Sequence, residues 1–317
     1  MHTFFTNMFN YLIRHSIPYT TEVEDDYDVI FVNSWVVDYR LIRAIKKSRP
    51  LLRVVQRVDG SARDYGRSAK ADVRQARVNM LSDLTIFQSR YGKYATTEKF
   101  RVIAGDGPII YNPVDIEKFT PIGQSYSLPY PIKVCHVTFS TNPLKGVDLL
   151  YEAALTNRDV DFILCGRYSH SALSELSNIH NLGILNINQL AEVYRACDVF
   201  VSFATNETCP NVVLEALASG LPVLYKDSGG VSELVGECGI PIEIGNFRQG
   251  LERALACRKE LSKEARERTV SNFSPDIIFL QYLNAIKIAK RRPLPTFSAS
   301  LRSLLSGYPI GDFSFRE

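Results

Sequence analysis

The chain has 317 residues, 45% of them hydrophobic, with 37 Lys and Arg against 34 Asp and Glu. Its length exceeds the usual size of one domain, so two are expected, and a formal charge of +3 gives no electrostatic case for a nucleic-acid partner. No apolar run approaches the roughly 18 residues of a membrane-spanning helix, and the six cysteines form no Cys-x-x-Cys pair, so they read as free thiols of a reducing compartment.

Met1 to Asn7 lacks the basic start and long apolar region of a signal peptide, which makes a cytoplasmic location the expectation. From there, strand and helix patterns alternate, the signature of doubly wound parallel sheets. The first series predicts helices over 4–15, 36–47 and 68–80, and strands over 27–33, 53–56, 84–88, 101–103 and 109–111. In the first helix Phe4, Phe5, Met8, Phe9, Leu12 and Ile13 share one face. A polar, proline-bearing stretch at 124–131 reads as a linker. The second series predicts strands over 133–137, 161–165, 199–203, 222–225 and 241–244. Its helices are expected over 147–155, 172–176, 189–196, 211–219, 247–257, 262–272 and 275–289. The expected division is 1–125, 126–290 and a tail at 291–317.

The densest signal lies between Asn206 and Gly230. Pro210 suits a first helical turn, where a missing N–H costs nothing, and Gly220 suits a left-handed stop. Leu221 to Leu224 is a short apolar strand, followed by the turn Asp227-Ser228-Gly229-Gly230. Glu207 therefore stands at the mouth of a helix and Glu215 lies on the helix, about a turn and a half inside it. The free N–H groups of such a helix start attract phosphate. Taken alone, two glutamates near a helix start require nothing more than a favourable dipole.

The ordered set Glu207, seven residues, Glu215-Ala216, Ser219-Gly220-Leu221-Pro222-Val223, Gly229-Gly230 and Glu233 resembles the donor signature of glycosyltransferase family 4. These are retaining nucleotide-sugar transferases of the GT-B fold, an α/β architecture of two Rossmann-like domains facing across a cleft. The resemblance implies that Glu207 lies near the donor sugar hydroxyls and that Glu215 accepts from the ribose. It places the backbone of Thr208, Cys209, Pro210, Asn211 and Val212 toward the phosphates. Lys145-Gly146, closing the loop after strand 133–137, matches the family's diphosphate contact. Many relatives carry an arginine a few residues earlier, where this chain has Phe139-Ser140-Thr141-Asn142; Arg167 is the substitute considered. Gly229 and Gly230 are expected to bring backbone close to the ligand. Asp59, in Arg57-Val58-Asp59-Gly60, takes the place of a histidine that relatives present to the reacting centre. Tyr111-Asn112-Pro113-Val114-Asp115 resembles the segment joining the domains.

Two Asp-x-Asp pairs, Asp26–Asp28 and Asp159–Asp161, precede apolar strands rather than follow them, so they read as solvated strand starts and no metal site is expected. The five histidines show no metal-ligand spacing. No cofactor is expected beyond the nucleoside diphosphate sugar itself, with a glycan or other hydroxyl acceptor as second substrate. Peripheral membrane association and oligomeric state are left open. Relatives open with a strand and glycine-rich loop before the first helix, and this chain begins at that helix. A nucleotide-binding chain with weak transfer is therefore expected. The implied function is retaining sugar transfer in glycan or polysaccharide biosynthesis. The alternatives are a catalytically impaired nucleotide-sugar-binding or partner protein and a GT-B epimerase.

Overall fold

The structure is a computed structural model that describes residues 2–291. The expected tail therefore lies outside the described residues from 292 onward. The first unit comprises α1 (His2–Arg14), β1 (Val29–Asn33), α2 (Tyr39–Ser48), β2 (Arg53–Val58), α3 (Ala69–Asn79), β3 (Leu84–Phe87) and a short α4 (Arg90–Tyr94) that runs into a π-helical turn. The second comprises β4 (Lys133–Thr138), α5 (Val147–Thr156), β5 (Asp161–Gly166), β6 (Ile179–Asn181), α6 (Ile187–Ala196), β7 (Val199–Ser202), α7 (Asn211–Ala218), β8 (Val223–Tyr225), α8 (Val231–Val235), β9 (Gly239–Pro241), α9 (Phe247–Ala256) and α10 (Arg258–Phe273). A long α11 (Pro275–Arg291) follows.

Both sheets are wholly parallel. The first has the order β1-β2-β3 and the second β6-β5-β4-β7-β8-β9. Strands covered on both faces read as continuous apolar runs, and β7 and β8 are buried at every residue. This is the doubly wound α/β arrangement that the alternating pattern predicts.

Local chemistry explains the departures. Helix α2 starts at Tyr39 because the Asp38 side chain accepts from Arg40 N, a cap in which Asp38 itself is extended. The strand expected at 101–103 does not form. Val102 N and Ile103 N both donate to Thr96 O, at 2.7 and 3.1 Å, so the segment hangs from the π-helical turn instead of a sheet. The strand expected at 109–111 reduces to a single bridge between Phe87 and Ile109. β6, α4 and α8 are three to five residues long, too short for a periodic signal.

Helix α11, assigned from sequence to the second unit, packs on the first. Ile278, Phe279 and Tyr282 share one core with Phe4, Met8, Tyr11, Leu12, Val55 and Ile86. Phe4 is its pivot: its ring meets Phe31, Phe279 and Tyr282 at centroid distances of 6.2, 5.7 and 5.3 Å. The Arg57 guanidinium lies 4.1 Å from that ring and donates to Tyr282 Oη at 3.1 Å. Phe5 and Phe9 flank this core, whereas Ile13, expected on the same face, is 64% exposed. Arg14 pairs with Asp276 and Lys290 with Asp28, fastening both ends of α11 to the first unit.

Truncating Phe4 removes a buried ring packed against β1, β2 and α11. Phe4→Ala is expected to cost about 3–5 kcal/mol in denaturant unfolding, while Ile13→Ala stays within about 0.5 kcal/mol. Equal costs at the two positions would contradict this packing.

Candidate active site

Loops from the carboxyl ends of strands in both sheets meet around a cavity of about 350 Å³, the place where open α/β sheets hold ligands. In the loop after β4, the Asn142 side chain accepts from Leu144 N at 2.9 Å and starts a 3-10 turn over Pro143–Lys145. Gly146 then turns left-handed (φ 71°) against the Phe203 carbonyl, where a Cβ would collide. Thr205 N donates to Leu144 O at 2.7 Å and ties this loop to the one after β7. Lys145 and Glu207 thereby face one another and form an ion pair, with side chains only 17% and 12% exposed. Tyr65 Oη, from the first unit, donates to the same carboxylate oxygen at 3.0 Å. Burial, and then the Glu207 charge, push the Tyr65 phenol well above its ordinary pKa, so it stays a donor.

The first unit supplies the facing wall. Segment 59–67 leaves β2 and lies on the second unit at several points. Thr208 Oγ1 donates to Asp59 O at 2.6 Å, Asn206 Nδ2 to Asp64 O at 2.9 Å, and Asn142 Nδ2 to Tyr65 O at 2.8 Å. Asn206 adopts φ 61°, a left-handed conformation that asparagine tolerates, and its Oδ1 accepts from Tyr91 Oη at 3.0 Å. Glu233 closes the seam from the other side. Its carboxylate accepts from Arg90 N and Tyr91 N, both at 2.8 Å, and from Tyr111 Oη at 2.9 Å. Asn112 Nδ2 donates to Cys209 O at 3.0 Å and to Asn211 Oδ1 at 2.8 Å, joining the linking segment to the start of α7.

Helix α7 begins at Asn211 without a side-chain cap, so its first N–H groups keep their capacity for an anion. One turn in, Tyr194 Oη donates to Glu215 Oε2 at 3.2 Å. Enclosure pushes the Glu215 carboxyl up to about 7, against the opposing pull of that hydrogen bond. Burial also raises the Cys209 thiol to about 12, which leaves it inert as a nucleophile.

Of the residues singled out from sequence, Asp59, Lys145, Glu207, Thr208, Cys209 and Pro210 line the cavity together. The Asp59 carboxylate is engaged by Arg57 Nη1 at 2.9 Å and by Gln88 Nε2. Gly146, Asn211, Val212 and Glu215 are not among the lining residues. Arg167 is not part of it; its backbone N–H donates to Thr138 O at 2.7 Å at the end of β4. Gly229 and Gly230 approach the protein's own loop rather than the cavity. Gly230 N donates to Glu207 O at 2.7 Å, and side chains at these positions would collide with the backbone of Glu207 and Thr208. The Asp-x-Asp aspartates contribute nothing here: Asp28 pairs with Lys290, Asp159 with Arg248 and Asp161 with His180. No cluster of three or more His, Cys, Asp or Glu suited to a metal occurs among the described residues. The sequence reading missed Asp64, Tyr65, Tyr91 and Asn206. Their one signal was position, shortly after the carboxyl ends of parallel strands.

Residues 131–257 match the family described as "Glycosyl transferases group 1". A GDP-mannose-dependent alpha-mannosyltransferase of Mycobacterium tuberculosis is 44% identical over 70 residues, 22% of this chain and 18% of that one. A D-inositol 3-phosphate glycosyltransferase of Gordonia bronchialis is 32% identical over 154 residues, 40% of this chain and 34% of the relative. The matches thus span a fifth to a third of these curated relatives. Among solved structures, sucrose-phosphate synthase from Thermosynechococcus elongatus superposes with a TM-score of 0.69 at 18% identity, covering 90% of this chain and 78% of that one. Anabaena HepE in complex with UDP-glucose superposes with a TM-score of 0.66 at 17% identity, covering 88% of each chain. The described residues carry the GT-B fold, and residues 131–257 are similar to the glycosyl transferases of group 1.

Proposed function

We propose that this chain is a retaining glycosyltransferase that moves a sugar from a nucleoside diphosphate sugar to a hydroxyl acceptor in glycan or polysaccharide biosynthesis. The observation that carries the reading is the convergence of Lys145 and Glu207, from two loops, beside the side-chain-uncapped start of α7. A cation and a helix N-terminus form a diphosphate site, and a carboxylate beside it suits sugar hydroxyls. The UDP-glucose complex of HepE and the relatives' names support this substrate class. The absence of a helix long and apolar enough to cross a membrane among the described residues is compatible with the cytoplasmic location we propose.

Lys145 is paired with Glu207. A bound diphosphate competes for Lys145 and frees Glu207 for the donor sugar, while Tyr65 keeps that carboxylate in place. Glu215 accepts from the ribose. The C1–O bond to the diphosphate breaks as the acceptor oxygen bonds C1 on the same face, and the acceptor proton passes to the departing phosphate oxygen. Charge developing on that oxygen meets Lys145 and the α7 N–H groups, which are already in position. No metal is part of the proposal, because every carboxylate of the cavity wall is held by a basic side chain.

Lys145→Ala is expected to slow release of nucleoside diphosphate from the donor by roughly 10²–10³-fold, and Glu207→Gln to weaken the sugar nucleotide while leaving the free nucleotide bound as tightly or more so, since no carboxylate then competes for Lys145. Equal weakening of both ligands by Glu207→Gln would make Glu207 a helix-start residue only. Turnover is expected to survive EDTA; loss on chelation with recovery in Mn²⁺ would overturn the metal-free mechanism.

Glu215 gives a pH signature. Folding raises its pKa to about 7 from an ordinary value of 4.5. The folded state therefore keeps a proton that the unfolded chain has lost in that window, and this contribution to stability disappears as pH rises through 7. A ribose hydroxyl needs the carboxylate, so affinity for the bare nucleoside is expected to rise between pH 6 and 8. Calorimetry with uridine, guanosine and adenosine checks this, since none carries a phosphate that titrates. A Glu215→Gln variant is expected to bind weakly with no such rise, and the same rise in that variant would remove Glu215 from the ribose site.

A further inference from the structure

Six charged side chains line the cavity: Asp59, Asp64, Arg67, Asp72, Lys145 and Glu207. Each carboxylate is already matched by a cation. Arg57 pairs with Asp59 at 2.9 Å, Lys99 with Asp64 at 2.6 Å, Arg63 with Asp72 at 2.9 Å, and Lys145 with Glu207. Arg67 is the remaining charge of the lining, and its guanidinium makes no ion pair among the described residues. It lies over the Tyr65 ring, 4.9 Å from the centroid. Lys145 Nζ lies 5.8 Å from the same centroid. The two cations therefore stand around one ring, whose hydroxyl is fixed on Glu207.

The backbone holds Arg67 there. Arg67 N donates to Ala62 O at 2.8 Å, closing a turn, and Gly66 adopts φ 66°. The same turn rests on the lysine loop: a Cβ at Gly66 would lie 3.6 Å from Leu144 Cδ1, and Tyr65 O accepts from Asn142 at 2.8 Å. That loop brings a single cation of its own, since Phe139-Ser140-Thr141-Asn142 carries no charge. A diphosphate beside Lys145 is left with negative charge that one ammonium does not neutralise. A guanidinium presents paired donors that match two phosphate oxygens.

We propose that Arg67 is a phosphate-binding residue for the donor, supplied by the first domain, so that the diphosphate is held by one cation from each side of the cleft. This rests on the nucleotide-sugar reading above. It makes the donor itself a tie between the domains: Lys145 comes from the loop after β4 and Arg67 from the segment after β2.

Calorimetry on the full chain tests it with UDP, GDP and ADP, each beside its parent nucleoside, for the native protein, Arg67→Met and Arg67→Lys. One lost charge-assisted bidentate contact is expected to weaken the preferred nucleoside diphosphate about 10- to 100-fold in Arg67→Met. The nucleoside is expected to change less than about twofold, and Arg67→Lys to recover part of the loss. Equal weakening of nucleoside and diphosphate would make Arg67 structural and overturn the assignment. Unchanged diphosphate affinity with impaired transfer would move Arg67 to the acceptor and also overturn it. A native chain that binds none of the three diphosphates refutes the nucleotide-sugar reading itself, and with it this assignment. Binding by the native chain with an unaltered Arg67→Met affinity refutes the assignment alone.

Discussion

The Glu207 carboxylate holds three pieces of chain at one point: its own loop after β7, the lysine loop after β4, and Tyr65 from the opposite domain. A carboxylate this enclosed is costly unless it is paired and hydrogen-bonded, so its position dictates where its partners must stand. The surrounding loops are built to that end. Gly146 turns Lys145 inward, Asn206 accepts a left-handed backbone to aim Glu207, and the Gly229–Gly230 turn sits tightly beneath it. The ion pair satisfies both groups, so in the proposed reading a diphosphate competes with a carboxylate for Lys145. On that reading the donor sugar meets a carboxylate that has given up its cation.

The two domains are not separate bodies that happen to share a ligand. Helix α11 leaves the second domain and completes the core of the first, with Tyr282 meeting Arg57 and Arg57 in turn holding Asp59 at the cavity wall. Glu233 reaches from α8 to the start of α4, and Thr208 bonds the backbone of Asp59. The first-domain wall of the site is thus positioned by elements that are distant in sequence, and a lesion in the α1–α11 core reaches the cleft through Arg57.

The second domain was largely legible in the sequence. Its inner strands β4, β5, β7 and β8 are buried almost throughout and carry mostly apolar runs, and the start and stop of α7 are marked by Pro210 and Gly220. Lys145 and Glu207 were each marked by the motif, but their ion pair was not expected from it. Less was legible where tertiary contacts decide. Asp38 shortens α2 through a single cap, Thr96 O diverts 102–103 from the sheet, and α11 looks like any amphipathic helix until its partner surface is known. Gly229 and Gly230 signalled a close approach correctly, but periodicity cannot say that the approaching group is Glu207's own backbone. Tyr65, Asn206 and Arg67 were invisible because a loop residue's role depends on the loop that faces it.

The central claim is that the diphosphate of a sugar nucleotide replaces Glu207 as the partner of Lys145. A crystal structure of the chain with its preferred nucleoside diphosphate tests it most directly. The account predicts phosphate oxygens at hydrogen-bond distance from Lys145 Nζ and from the first N–H groups of α7, the ribose on Glu215, and the Lys145–Glu207 pair broken. A nucleotide bound elsewhere, or one seated in the cleft with that ion pair intact, would contradict it.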